Sequence, residues 1–599
     1  MRYHALIADY DGTLAHHGVI ASDTWSALQR IRTSGRKLVM ATGRILEEVL
    51  ALLPDPELFS RIVAENGAVV YEPATREMRF VGVRPPEAFI DALAQRSIPL
   101  EIGHIIVATR EPHQDVVLET IRDHGLELQV IFNKGAVMVL PSGVNKATGV
   151  SAALVELGLS AHNTVAVGDA ENDHALLGAA ECAVAVANAL PSLKDSADLV
   201  TQGRHGDGVA ELIDHLLHDD LADVVPALTR HTIALGTIAL QETHAGTARA
   251  TPGQGTPTIG LPDVAIDPYA SNIMICGTSG SGKSTVTTGL LERLAAVGYQ
   301  YAIIDPEGDY TALESAVVLG APGRAPLVEE VSDVLRDPAR NVVVNMLGIA
   351  IEDRPAFYGK LAAVISDLRT RTGRPHWMIV DEAHHLLPAA WQPVAELPLR
   401  PHGTLYVTVH PGSVAPSVLA TINTLLVVGE HPAATLREMC EARGIPCPDA
   451  AGVAGIDRLA PGQVLYWKVG APLAVVVQTE RPKQDRVRHH RKYVEGNLGA
   501  DRSFYFRGPE DKLNLKAHNL LVFAALAEGI DDDTWTHHLA RGEYSAWFRT
   551  EFKDRELADV AATIEEDAAL SPRESRAAIR AAIEQRYTLP ADRPSGLID

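Results

Sequence analysis

Short apolar runs alternate with longer stretches in which apolar residues recur at helical spacing, and this rhythm occupies most of the chain. In residues 1 to about 215 the runs "HALIAD", "KLVMATG" and "NTVAVGD" alternate with "DTWSALQRIRTSG" and "KATGVSAALVELG". Strands separated by helical segments in this way predict a parallel sheet wrapped by helices. Residues 72–142 form a second alternating unit within that region, expected to fold as an inserted α+β cap. A Gly, Thr and Pro-rich stretch, "THAGTARATPGQGTPTIGLPD", reads as a loop or irregular hairpin. Over residues 228–480 the rhythm resumes with "SNIMIC", "YQYAIIDPEGDY" and "HWMIVDEAHHLLP". Residues 481–499 are basic and polar and read as a linker, and residues 500–599 read as mainly helical, with Trp535, Trp547 and Phe548 expected in their core.

Length agrees with this division, because 599 residues exceed one hydrophobic core and correspond to roughly three or four domains. The net charge of −23 argues against a surface that is basic throughout, so any nucleic-acid contact is confined to a local patch or an inward-facing channel. Cys182, Cys276, Cys440 and Cys447 are too scattered for a disulfide framework or a paired zinc site. No apolar run approaches the roughly 18 residues of a membrane span, and Asp9 and Asp11 interrupt any leader-like core. These features predict a cytoplasmic protein with no membrane partner.

In "IADYDGTLA" a strand delivers Asp9 and Asp11 to its C-terminal end, where an open α/β sheet presents its ligand crevice. Thr42 in "MATGR", Lys146 in "GVNKATG", and Asp169 with Asp173 in "VAVGDAENDHALL" follow in order. Each piece alone reads as a turn or helix cap; all four at strand ends and helix starts read as one site. Together with "AENGA" and "VANALPSLKDSAD" they resemble the haloacid dehalogenase superfamily of phosphohydrolases, in its Cof-type branch, over about 215 residues. The resemblance implies a Rossmann-like core (1–71 and 143–220) with the cap inserted at 72–142. It also implies an aspartyl-phosphate mechanism: Asp9 as nucleophile, Asp11 as acid and base, and Thr42 and Lys146 on the phosphoryl oxygens. Asp9, Asp11, Asp169 and Asp173 are the implied magnesium set. The resemblance implies a small phosphomonoester as substrate and leaves sugar phosphates, phosphoglycolate and others open.

Gly277, Thr278, Ser279, Gly280, Ser281, Gly282, Lys283 and Ser284 match G-x-x-x-x-G-K-S, followed by Thr285. In this pattern backbone N–H groups cradle phosphates, the lysine reaches the β and γ phosphates, and the serine ligands magnesium. The context fits, with a buried-type strand before the loop and the amphipathic "STVTTGLLERLAAVG" after it. About a hundred residues later a strand ends in Asp381 and Glu382, suited to an outer-shell magnesium role and to polarising the attacking water. "GTSGSGKST", "IIDPEGDY" and "MIVDEAHHLLP" together resemble the HerA/FtsK-like P-loop ATPases over residues 230–475. That implies a RecA-like domain binding ATP and Mg2+, in a branch rich in hexameric nucleic-acid or protein translocases. His410 stands where that branch commonly has a glutamine sensing the γ-phosphate, and it reads equally as a strand-end histidine.

The whole chain thus reads as a multidomain α/β protein: a bifunctional phosphatase and ATPase, expected to assemble as a homo-oligomer, with phosphatase output coupled to nucleotide state. A nucleic-acid end-processing kinase and phosphatase, and an ATP-switched scaffold with little turnover, are the alternatives. "RVRHHRK", Arg486 to Lys492, reads as solvated linker ahead of a phosphate-contacting patch. His384 and His385 lack the i, i+4 spacing of helical metal ligands and read as part of the ATPase helix.

Overall fold

The structure is a computed structural model and describes residues 1–225, 231–239, 263–278, 281–311, 313–390, 402–448, 457–483, 502–552, 554–567 and 569–586. Most of the Gly, Thr and Pro-rich stretch, the basic segment Arg486–Lys492, Ser279 and Gly280 lie outside the described residues. The chain divides into two compact units, Met1–Lys483 and Gln484–Asp599.

The first sheet of Met1–Lys483 has eight strands. In order they are Leu199–Val200, Cys182–Ala185, Thr164–Gly168, Ala5–Asp9, Lys37–Ala41, Arg61–Ala64, Val69–Glu72 and Glu77–Phe80. The first six run parallel and the last two are antiparallel. Register sets the site: Ala8 pairs with Val167, and Asp9 with Ala41. The residues just past these strands, Thr42 and Asp169, therefore reach the same sheet edge as Asp9. The parallel strands are apolar almost throughout, as strands covered on both faces must be.

The cap was expected to begin at residue 72, but Glu77–Phe80 pairs with Val69–Glu72 and extends the large sheet. The separate four-stranded sheet comprises Glu101–Ile102, Val107–Arg110, Ala136–Pro141 and Leu128–Asn133, accompanied by helices Glu87–Gln95 and Gln114–Asp123. Its core is its own: Phe89, Leu93, Val117, Val137 and Val139 are buried together. A hairpin edge strand is not separable from a cap by alternation alone, because both carry the same period.

Among the described residues the second sheet of this unit has eleven strands. The P-loop strand Asn272–Cys276 lies between Thr404–Thr408 and Thr424–Val427, parallel to both. Trp377–Val380, which precedes Asp381, lies between Thr404–Thr408 and Tyr301–Asp305. Side chains from the two faces of this sheet form two cores, one centred on Ile304, Val344 and Trp467 and the other on Ile273, Leu290 and Trp377.

Buried polar contacts join the two sheets' domains. Arg374, 1% exposed, donates through Nη2 to Gly158 O at 2.5 Å and through Nη1 to Gln300 Oε1 at 2.8 Å and Leu335 O at 3.0 Å. Burial pulls its guanidinium down to about 10, still charged at neutral pH. The helix Lys283–Ala296 ends against the first domain, where Val297 O meets His162 Nε2 at 2.7 Å and the Tyr299 ring stacks on His162. His162 Nδ1 lies 2.7 Å from Glu181 Oε2. Burial alone would raise the Glu181 carboxyl, but the His162 hydrogen bond with the His162, His231 and Arg2 charges overcomes it and holds Glu181 below its ordinary value.

The unit Gln484–Asp599 carries helices Leu520–Gly529, Asp532–Leu539, Glu543–Glu551, Arg555–Glu566 and Pro572–Arg586 with a hairpin of Phe504–Phe506 and Leu515–Ala517. Trp535, Trp547 and Phe548 are buried in its core, and Trp535 Nε1 donates to Ser575 Oγ at 2.9 Å. Among the described residues no helix is long and apolar enough to cross a membrane.

Removing the Arg374 guanidinium strands several buried carbonyls at once. Arg374→Ala is expected to lower the unfolding free energy of Met1–Lys483 by about 3 kcal/mol. Urea denaturation of the full chain checks this, and an unchanged midpoint would contradict the assignment.

Candidate functional site

At the edge of the first sheet the chain buries carboxylates beside one another. Asp9, Asp169 and Asp173 each bring an oxygen within 4.8 Å of the others, and all three are buried. Lys146 lies among them at the first position of helix Lys146–Glu156, whose start is fixed by a capping box in which Asn145 accepts from Thr148 N. The Lys146 ammonium, 1% exposed, donates to Asp9 Oδ1 at 2.5 Å and to Asp173 Oδ1 at 2.6 Å. The remaining oxygen of Asp173 accepts the backbone N–H groups of Asp169 (2.9 Å) and Ala170 (3.0 Å). Asp173 therefore shapes the loop and orients Lys146, and its oxygens are already occupied.

Burial pushes Asp9 up to about 7, with the neighbouring Asp173 charge adding to the push and Lys146 opposing both. Burial also raises Asp169, against the pull of Lys134. For Lys146 burial works downward, but the Asp173 and Asp9 charges prevail and keep it above its ordinary value. Three carboxylates thus share the buried Lys146 and one further ammonium.

That further ammonium occupies the space beside Asp169. Lys134, on the hairpin tip of the cap, places its ammonium 2.9 Å from the Asp11 main-chain oxygen and 3.0 Å from Asp169 Oδ2. Oxygen donors gathered around an ammonium in this way suit a hard divalent cation such as Mg2+, with Asp9, Asp169 and the Asp11 carbonyl as its holders. Gly12 keeps this space open: its φ is +92°, and a Cβ there would fall 2.3 Å from Asp169 Oδ2.

The Asp11 carboxylate faces away from the cluster. Arg44 grips it through Nε at 2.7 Å and Nη2 at 2.8 Å. Thr42, fully buried, accepts from Arg44 N at 3.1 Å through its hydroxyl. The structure thus brings Asp9, Thr42, Lys146, Asp169 and Asp173 to one edge, with Asp11 contributing a main-chain oxygen inward and a carboxylate outward.

Sequence reasoning passed over four residues here. Arg44 was in view within "MATGR" and Lys134 within "VIFNKGAVMVLPSG", but neither has a partner nearby in sequence. Glu65 and Asn66, in "AENGA", adopt left-handed backbone at φ +52° and +54°. Glu65 accepts the backbone N–H groups of His104, Ile105 and Ile106 at 2.8–3.0 Å, tying the cap to the core. Asn66 accepts from Asn172 Nδ2 at 3.0 Å and so steadies the loop that carries Asp169.

The second candidate site surrounds the P-loop. Gly277 has φ +153° and a Cβ there would lie 2.3 Å from Val428 O, so the strand-to-loop exit admits no side chain. Gly282, at φ +100°, starts the helix whose first residue is Lys283. Lys283 Nζ donates to Gly277 O at 2.9 Å and Thr278 O at 3.2 Å, curling over its own loop, and Ser281 N donates to Thr278 O at 3.2 Å. Ser284 is half-buried and Thr285 exposed at the helix start.

Asp381 is buried at the end of Trp377–Val380, and Glu382 follows at φ +45°, an outlier of the kind that collects at functional sites. Glu382 Oε2 lies 3.5 Å from His384 Nδ1, which also contacts Thr408 Oγ1 at 3.2 Å. Burial, then the His385 and His410 charges, pull His384 down to about 4. His410 itself is exposed. Asp305, not singled out from sequence, is fully buried at the end of the neighbouring strand and accepts from Asp309 N and Tyr310 N. Burial and the Asp381 charge push it up to about 7.

Comparison with known proteins follows the same division. Residues 6–95 and 86–213 match the haloacid dehalogenase-like hydrolase family, and residues 263–362 match the central domain of the helicase HerA. The chain is 31% identical over 219 residues to a phosphoglycolate phosphatase of Methanothermobacter thermautotrophicus, covering 35% of this chain and 96% of that one. It is 32% identical over 219 residues to a phosphoglycolate phosphatase of Haloarcula marismortui, covering 35% and 95%. A crystal structure of a haloacid dehalogenase-like hydrolase from Bacteroides thetaiotaomicron matches 36% of this chain and 99% of its own at 22% identity, with a TM-score of 0.32.

Proposed function

The chain belongs to the haloacid dehalogenase-like hydrolases through residues 6–213, and from that premise we propose that it is a Mg2+-dependent phosphatase of small phosphomonoesters, fused to an ATP-hydrolysing domain similar to HerA. The observation that carries the first half is the buried set Asp9, Asp169 and Asp173 around Lys146. The relatives at about 31% identity are named phosphoglycolate phosphatases, which makes that ester the first substrate to test.

In the proposed reaction Asp9 Oδ attacks phosphorus as the ester P–O bond breaks, leaving an acyl phosphate on Asp9. Asp11 donates its proton to the departing alkoxide, which requires Arg44 to release one of the carboxylate oxygens it now holds. Asp11 then takes a proton from the water that attacks phosphorus, breaking the bond to Asp9 and freeing phosphate. Lys146 and Thr42 hold phosphoryl oxygens throughout. A bound Mg2+ supplies charge neutralisation between the nucleophile and the dianion.

In the second domain the P-loop from Gly277 to Ser284 would hold ATP, with Lys283 uncurling onto the β and γ phosphates, Asp381 behind the metal and Glu382 orienting water. Coupling between the halves has a physical route. The helix that begins at Lys283 ends at Val297, whose carbonyl meets His162 of the phosphatase domain at 2.7 Å. Movement of the P-loop on ATP binding therefore bears on a contact with the other domain. Translocation of nucleic acid or protein, and a ring assembly, would follow from the HerA likeness.

Asp9→Asn is expected to abolish phosphomonoester hydrolysis while ATP hydrolysis continues, and a phosphate-release assay on each substrate checks it; near wild-type phosphatase activity would overturn the nucleophile assignment. Saturating ATP is expected to change the phosphatase rate of the full chain, and Lys283→Ala to abolish that change. Superimposable kinetics with and without ATP would mean that the fusion only tethers the two enzymes.

A further inference from the structure

The cap reaches the carboxylate cluster through a turn of unusual chemistry. Asn133 pairs with Ala136, so the turn between the two strands is Lys134 and Gly135 alone. Their φ values are +48° and +83°, both left-handed. Two-residue hairpins of this kind favour asparagine or glycine at the first position, since these residues adopt left-handed backbone more readily than lysine does. A lysine at this place does not serve the turn.

What it serves is reach. The Lys134 ammonium stands 2.9 Å from Asp11 O and 3.2 and 3.0 Å from the two oxygens of Asp169, while 48% of its side chain remains exposed. The other cations at the cluster are committed. Lys146 bridges Asp9 and Asp173, and Arg44 grips both oxygens of Asp11. A divalent ion would share Asp9 with Lys146 and Asp169 with Lys134, but Lys146 keeps Asp173 as a second carboxylate, whereas among the described residues Lys134 pairs with Asp169 alone. Once Asp169 serves such an ion, the ammonium at the hairpin tip loses its partner and faces the space between cap and core, where the substrate's alcohol part must lie.

We infer that Lys134 binds a carboxylate on the leaving group, so that this site takes phosphomonoesters of small hydroxy acids in preference to uncharged alcohols. The inference rests on the phosphatase reading and names the substrate class of that same site. The competing role is a latch, in which Lys134 merely ties cap to core and serves every ester alike.

The test compares 2-phosphoglycolate with ethyl phosphate on the full chain, for wild type, Lys134→Asn and Lys134→Arg. Asparagine suits the left-handed turn, so Lys134→Asn is expected to melt no lower than wild type. It is expected to reduce the ratio of kcat/KM for 2-phosphoglycolate over ethyl phosphate by about 10–100-fold, chiefly through KM, as loss of a charge-assisted hydrogen bond does. Lys134→Arg, which keeps the charge, is expected to recover most of that ratio. Titration calorimetry in an Asp9→Asn background reads the same preference without turnover, as a matching loss in affinity for 2-phosphoglycolate relative to ethyl phosphate. An unchanged ratio would overturn the inference, and equal losses on both esters would in addition establish the latch. A wild-type chain that hydrolyses neither ester would overturn the phosphatase reading itself, and the inference with it.

Discussion

Three buried carboxylates with oxygens within 4.8 Å of one another are tolerable only if cations are delivered to them, because desolvation and mutual repulsion both disfavour their charged forms. The first domain is arranged around that delivery. Parallel register brings Asp9 and Asp169 to one sheet edge, and a capped helix start inserts Lys146 between Asp9 and Asp173. Gly12 leaves no Cβ in the remaining space, and the cap lowers Lys134 into it. Burial, with the Asp173 charge added, raises Asp9 to about 7 against the pull of Lys146. Stability and chemistry here share one electrostatic constraint.

The second domain is joined to this one by polar groups that draw on both. Arg374 spends its donors on carbonyls and an amide from both domains, and Glu181 is enclosed by His162, His231, Arg2 and Tyr299. Such networks are costly when partly made and rigid when complete. The helix Lys283–Ala296, which starts at the P-loop, leads directly into the shared contact at Val297 and His162.

Much of both sites was legible along the chain because their chemistry is local. Asp9 and Asp11 share a strand end, Asp169 and Asp173 share a loop, and Lys283 opens a helix directly after its glycine loop. Residues whose partners come from distant segments were not legible. Lys134 is 35 residues from Asp169, and Arg44 is 33 from Asp11. Arg374 lies 216 residues from Gly158. No period or spacing encodes such pairs; only cap placement and domain packing do. The cap boundary failed for a related reason, since the Glu77–Phe80 edge strand carries the same alternation whichever sheet it joins.

The central claim is that phosphate passes through Asp9, and the most direct measurement is to trap it. Full-length protein turning over 2-phosphoglycolate with Mg2+ is quenched with borohydride, which reduces an aspartyl phosphate to homoserine, and the peptides are sequenced by mass spectrometry. Homoserine at position 9, dependent on both ester and metal, is the predicted result. Active turnover with Asp9 unmodified and reduction found at Asp11, or at no carboxylate, would contradict the account.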